Sequence, residues 1–215
     1  MKQVKPGSKE WHQRQIAAYR KQFGNYKKLA ETMRDILGGA CHAIAPLAIV
    51  QVRPKSLSSF AEKALRKFRE GEPETHDPVN ELTDLCGARV ITSTQEEVEA
   101  VCDFVRANFY IREQQDTGGR LKAAEFGYRS YHFIVEVRAA SVLGIEVFRD
   151  LRTLPVEIQV RTLLQHAWSD VSHDQIYKSA FIVPDLLQRE AARIAALLED
   201  ADNSFGHLLL TNLVL

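Results

Sequence analysis

Cysteine is scarce in this chain. Three residues, Cys41, Cys86 and Cys102, cannot all pair, and none stands at a zinc-binding spacing. A disulfide scaffold and a zinc module are therefore not expected, and the thiols read as reduced residues of a cytoplasmic protein. Net charge is also lacking. The 28 Lys and Arg balance 28 Asp and Glu, so no global field draws the chain toward nucleic acid or a membrane, and only local patches can do so. No apolar run is long enough to cross a bilayer, and the opening "MKQVKPGSKEW" lacks the apolar stretch of a signal peptide. Internal repeats and low-complexity tracts are missing too. What is present is a chain of 215 residues, 45% of them apolar, enough for one substantial core with helical appendages.

Periodicity divides the chain into elements. Ser8 caps a long helix whose stripe of Ile16, Tyr19, Phe23, Tyr26, Leu29, Met33 and Ile36 recurs every three to four residues, and Gly38-Gly39 is expected to end it. "PLAIVQVRPK" predicts a strand closed by Pro54, and "SLSSFAEKALRKFREG" a helix with serine caps and a glycine stop. "EPETHDPVN" reads as a loop and "CGARVIT" as a buried strand. Thr94 and Glu97 form a capping box ahead of the helix "QEEVEAVCDFVRANF". "YIREQQ", "EFGYRSYHFIVEV" and "TLPVEIQVRT" supply further strands. Two helices follow, "LLQHAWSDVSHDQIYKS" and one with Pro184 in its first turn. The last nine residues, "HLLLTNLVL", are six-ninths Leu or Val, expected either of a fragment of a longer chain or of an end that buries in a partner. Helices alternating with four or five strands predict an α/β or α+β domain, a mixed sheet carrying helices.

Chemistry gathers at four places. In "VEIQVRT", period two sends Val156, Ile158 and Val160 to a core and puts Glu157, Gln159 and Arg161 on the other face, which is either a half-solvated strand face or the floor of a cleft. "RPKSLSSFAEKALRKFR" concentrates Arg53, Lys55, Lys63, Arg66, Lys67 and Arg69, next to the acid run from Glu70 to Asp84. These charges either balance one another in solvent or form a polyphosphate cradle. For the cradle, Arg53 and Lys55 sit where a strand feeds a helix, Ser56, Ser58 and Ser59 lie in its first turn, and Lys63 lies one turn on. "DLCGARVI" sets Asp84 before a strand and Arg89 within it. Asp84 either caps a turn or, with Glu157 if their strands are neighbours, offers two carboxylates to a hard cation such as Mg²⁺. In "EFGYRSYHFIVEV", Tyr128 and His132 share a face. Tyr128 is either a half-buried strand residue or a platform for a base.

Together these stretches resemble the synthetase domain of the RelA/SpoT-like family, the (p)ppGpp synthetases, and in particular its small alarmone synthetases. The Arg-x-Lys-x₃-Ser-x₃-Lys element appears as Arg53, Lys55, Ser59 and Lys63. "DLCGARVI", "GYRSYH", "VEIQVRT" and "QHAWSDVSHDQIYK" are similar to four further elements in the family's order, across residues 53 to 178. The resemblance implies a nucleotidyltransferase-like mixed sheet flanked by helices, occupying residues 46–180 between helical segments 1–45 and 181–215. It implies a pyrophosphokinase that moves the β,γ-pyrophosphate of ATP to the ribose 3′-OH of GDP or GTP. It assigns Arg53 and Arg89 to the adenine, Lys55, Ser59 and Lys63 to the ATP phosphates, and Asp84 and Glu157 to Mg²⁺, with Glu157 also accepting the 3′-OH proton. Tyr128 would stack on the acceptor guanine. His132, Gln159, Arg161 and His166 would line or brace the acceptor side.

The sequence departs from the family where many small members carry Lys and Asn, since Ala124 and Phe126 stand there. Lys122, Arg120 or Arg129 would then hold the acceptor's 5′-phosphate. The departure also admits the toxin branch, whose acceptor is the 3′ end of tRNA. A non-catalytic nucleotide-binding module is the remaining alternative, opposed by intact Asp84, Glu157 and Lys63. No hydrolase domain is expected, and the terminal helices are compatible with a homo-oligomer.

Overall fold

The computed structural model describes residues 7–69, 77–118, 130–172 and 184–212. Ser8 begins the first helix by accepting the Trp11 N–H on its hydroxyl at 3.2 Å. Helix α1 (Lys9–Ile44) then continues through Gly38 and Gly39 for another turn and more. This corrects the expected stop at the glycine pair. A helical glycine costs roughly 1 kcal/mol relative to alanine, but Ile36, Leu37, Ala40 and Cys41 all lie in the core, and their burial outweighs that cost.

The remaining elements are β1 (Ile49–Pro54), α2 (Leu57–Arg69), α3 (Pro78–Glu81), β2 (Cys86–Thr92), α4 (Gln95–Asn108), β3 (Tyr110–Asp116), β4 (Tyr131–Glu136), β5 (Ser141–Val142), β6 (Ile145–Glu146), β7 (Val156–Thr162), α5 (Leu163–Ser172) and α6 (Asp185–Asn212). The capping box of α4 is present in both directions, Thr94 Oγ1 accepting the Glu97 N–H and Glu97 Oε2 accepting the Thr94 N–H. The segment expected to be all loop contains one helical turn, α3, with proline in its first turn. The β5–β6 hairpin was not legible in the sequence. Its turn residues Leu143 (φ 52°) and Gly144 (φ 79°) both adopt positive φ, and leucine is an unusual residue for the first of these positions. The later residues of the expected helix "LLQHAWSDVSHDQIYKS", beyond Ser172, lie outside the described residues.

Five strands form one sheet in the order β1-β2-β7-β4-β3. β2 and β7 run parallel, and the other pairings are antiparallel. This is the mixed sheet flanked by helices that the sequence predicts. One face of the sheet, built from Val52, Ala88, Val90, Phe133, Val135, Val156, Ile158 and Val160, is buried. It shares a single core with Tyr19, Tyr26, Leu29 and Met33 of α1 and Val98, Val101 and Val105 of α4. The other face carries mostly polar side chains, with Ile91 and Ile134 beside them. The C-terminal end of β7 is tied down separately, because Thr162 Oγ1 donates to the buried Asp202 of α6 at 2.6 Å. No helix among the described residues is long and apolar enough to cross a membrane.

A Cβ added at Gly38 meets nothing within 4 Å. Gly38→Ala is therefore expected to stabilise the fold by about 0.5–1 kcal/mol, the usual helix-interior difference, seen as a higher midpoint in urea unfolding at an unchanged slope.

Candidate active site

The register of the sheet arranges the polar face as two rows. In the first, Gln51 pairs with Arg89, Arg89 with Gln159, and Gln159 with His132. In the second, Arg53 pairs with Gly87, Gly87 with Glu157, and Glu157 with Ile134. Alternation along each strand and pairing across strands thus put two arginines, two amides, a carboxylate and an imidazole over one surface. Gly87 stands between Arg53 and Glu157, and an added Cβ there would project into open space. The floor is hollow at that point because no side chain fills it.

The cleft above this floor encloses about 610 Å³, within the range of small-molecule sites. Arg53, Lys55, Ser59, Asp84, Arg89, Glu157 and Gln159 all line it. One end is cationic and rich in hydroxyls. Ser56 Oγ accepts the Ser59 N–H at 3.1 Å and so satisfies a first-turn donor of α2, while its own proton goes to Ser59 Oγ at 2.9 Å. Lys55 and Lys63 reach the same oxygen, Asp84 Oδ2, at 2.8 and 2.6 Å. The other oxygen, Oδ1, is buried without a hydrogen-bond partner among the described residues.

Glu157 occupies the middle of the cleft. Its Oε1 accepts from Gln159 Nε2 at 3.3 Å and lies 3.4 Å from His132 Nδ1. Gln159 in turn accepts from Arg161 Nη2 at 3.4 Å. Arg161 shares the polar face of β7 but is only 1% exposed, so it stands behind Gln159 as a brace and does not line the open cleft. His166, on α5, is not among the residues that line the cleft; it lies within electrostatic reach of Arg161 and Arg89, with Nδ1 3.5 Å from Asp170 Oδ1. Tyr128 lies outside the described residues, as do Arg120, Lys122, Ala124, Phe126 and Arg129. Two polar lining residues were missed by sequence reasoning, Arg34 and Gln51. Arg34 comes from α1, where it donates to the Val52 carbonyl at 2.7 Å across the sheet edge, and no local motif marks it. Gln51 lies two residues before Arg53, and the alternation that places Arg53 would have placed it as well.

The model of the region found in RelA and SpoT proteins matches residues 52–181. The chain belongs to the RelA/SpoT family. Over 166 residues it is 27% identical to the GTP pyrophosphokinase YjbM of Bacillus subtilis (strain 168), a span of 76% of this chain and 72% of that protein. In fold it is similar to small alarmone synthetase 1 from Bacillus subtilis, with a TM-score of 0.69 at 21% identity, covering 93% of this chain and all of the other. The structure of that synthetase bound to its product pppGpp matches with a TM-score of 0.68 at 23% identity, covering 89% and 96%. Its structure bound to AMPCPP matches at 0.65 and 21% identity, covering 93% and 100%.

Electrostatics keep both acids of this RelA/SpoT site charged. Burial alone would raise the Asp84 pKa, but the hydrogen bonds and charges of Lys55 and Lys63 outweigh it and hold the carboxyl below its usual range. Glu157 is lowered chiefly by its contact with His132, with Gln159 assisting and burial and the Asp84 charge opposing. The opposing effect of Asp84 places the two carboxylates within electrostatic reach of one another. Burial, followed by the Arg161 charge, lowers the pKa of His166, which is therefore neutral at physiological pH.

A depressed folded-state pKa means that Asp84 contributes stability in full above its unfolded pKa and loses it as the pH falls through the folded value. Asp84→Asn is accordingly expected to melt below wild type at pH 7. The gap should narrow below about pH 4, where ordinary aspartate protonates, as followed by calorimetry across pH.

Proposed function

We propose that this chain is an ATP-dependent pyrophosphokinase that transfers the β,γ-pyrophosphate of ATP to the ribose 3′-OH of GDP or GTP, making (p)ppGpp and releasing AMP. The observation that carries this reading is the single cleft that gathers Arg53, Lys55, Ser59, Asp84, Arg89 and Glu157 in a member of this family. The names of the relatives support it, one a GTP pyrophosphokinase and another a synthetase seen with pppGpp and with AMPCPP.

The division of labour is the one that the family resemblance implies, and the position of each group is consistent with it. The guanidinium planes of Arg53 and Arg89 hold the adenine between them. Lys55, Lys63 and the Ser59 hydroxyl take the phosphates at the start of α2, where the helix N-terminus also favours anions. Glu157 accepts the 3′-OH proton as O3′ bonds to the β-phosphorus and the bond from that phosphorus to the α-phosphate oxygen breaks, with AMP as leaving group. His132 and Gln159 orient Glu157. With Arg161 behind Gln159, and with His166 and Tyr128, they serve the acceptor side. Asp84 and Glu157 suit a divalent cation of the Mg²⁺ type, which binds through one or two carboxylates together with substrate phosphates. The donors fit, since both acids are ionised and Asp84 Oδ1 is buried with no hydrogen-bond partner among the described residues. Bound there, the cation would neutralise charge developing on the moving phosphates. Nucleotide substrates fit a cytoplasmic setting. The apolar residues Leu186, Leu187, Leu197, Phe205 and Leu208, which α6 presents to solvent, fit a homo-oligomer formed through the terminal helices.

Two measurements check this reading. Incubated with γ-labelled ATP, Mg²⁺ and, in separate reactions, GDP, GTP and deacylated tRNA, the protein is expected to label the guanine nucleotides. Label on tRNA alone would replace the acceptor, and ATP binding without transfer to any of them would leave only a binding module. Glu157→Gln is expected to retain fold and ATP affinity while kcat falls by roughly 10²-fold, the scale of a lost general base. A kcat near that of wild type would remove Glu157 from the chemistry.

A further inference from the structure

Strand pairing between β1 and β2 runs to Pro54–Cys86, and one further backbone bond follows, from the Lys55 N–H to the Leu85 carbonyl at 2.8 Å. The charged groups of the phosphate end come immediately afterwards, Lys55 leaving β1 and Asp84 approaching β2. That one backbone bond reaches Lys55 and the residue after Asp84, and a second contact reinforces it.

That contact comes from α1, ahead of the segment shared with the family model. The Tyr19 hydroxyl donates to the Lys55 carbonyl at 2.6 Å and lies 3.5 Å from the Leu85 carbonyl. The same Leu85 carbonyl accepts the Lys55 N–H at 2.8 Å. One phenol thus clasps the backbone of Lys55 to the residue that follows Asp84. Its ring also stacks on Phe60, with centroids 4.5 Å apart and planes at 25°. Phe60 follows Ser59, and Lys63 lies one turn further along α2. Each group assigned to the phosphates, and the acid that both lysines reach, is therefore referenced to this one side chain. Tyr19 is fully buried, and burial pushes its pKa well above the ordinary phenol value, so it remains a hydrogen-bond donor throughout the working pH range.

We propose that Tyr19 is a positioning residue for the ATP phosphate site. It holds Lys55 and Asp84 in register beyond the end of the sheet and α2 at the correct height. The inference rests on the functional reading above and deepens it, since the N-terminal helix becomes part of the active-site apparatus. Tyr19→Phe keeps the ring stack and removes only the clasp. Tyr26→Phe is the control, because it removes another buried phenol from the same helix, with its ring 5.7 Å from that of Tyr19.

The test measures KM for ATP and for GDP separately, together with the rise in melting temperature produced by a non-hydrolysable ATP analogue. Tyr19→Phe is expected to raise KM for ATP about tenfold, the scale of one lost buried hydrogen bond. KM for GDP should stay put and the analogue-induced shift should shrink, while Tyr26→Phe leaves all three at wild-type values. An unchanged ATP KM and analogue shift in Tyr19→Phe, an equal rise in both KM values, or the same effect from Tyr26→Phe would each overturn the assignment. A wild-type protein that transfers no pyrophosphate but loses its analogue shift on Tyr19→Phe would sink the functional reading and leave the Tyr19 assignment standing.

Discussion

Strand β7 lies between β2 and β4 and hydrogen-bonds to both, and the arrangement of the cleft depends on its register. Pairing Glu157 with Gly87 on one side and Ile134 on the other sets the acid next to a floor position without a side chain. Moving β7 by one residue would turn Glu157 and Gln159 into the core and Val156, Ile158 and Val160 into the cleft. Such a slip is opposed by the burial of those three apolar residues, all at 0% exposure. Packing on one face thus enforces the geometry of the chemistry on the other.

The charges in the cleft are held by mutual compensation. Two ammonium groups converge on one oxygen of Asp84, at sites only partly open to water, where such contacts are stronger than on a free surface. A polyphosphate offers the lysines an alternative anion, and a cation offers Asp84 an alternative partner, so substrate binding can exchange one set of paired charges for another without leaving any of them buried alone. Arg161 acts through a neutral side chain. Wholly buried, it reaches Gln159, which reaches Glu157, so a cation that cannot touch solvent still orders the hydrogen bonds around the acid.

Helix α1 is joined to the sheet by more than apolar contact. Its tyrosines and leucines belong to the same core as β1, β2 and β7, and two of its polar groups bond the backbone of β1 and of the residue that follows it. Arg34 holds the Val52 carbonyl and Tyr19 the Lys55 carbonyl. β1 is an edge strand with unpaired backbone groups on its outer side, and Arg34 covers one carbonyl of that strand, at Val52, at the level of the cleft.

Much of this architecture was legible from residue order alone. Period-two alternation separated the core face of β7 from its polar face, the Thr94–Glu97 box marked the start of α4, and spaced motifs brought Arg53, Lys55, Ser59, Lys63, Asp84 and Glu157 under suspicion, because alternation, capping and short spacings are local properties of a chain. The end of α1 was misread for the same reason, since glycine propensity is local and the burial that overrides it is not. Pairings between distant segments were beyond any local signal. That β2 and β7 are parallel neighbours, that both lysines choose one oxygen of Asp84, that Arg161 is enclosed, and that Arg34 and Tyr19 reach the site from a helix far ahead in the chain were all decided by tertiary packing, which alone brings together side chains that sequence distance keeps apart.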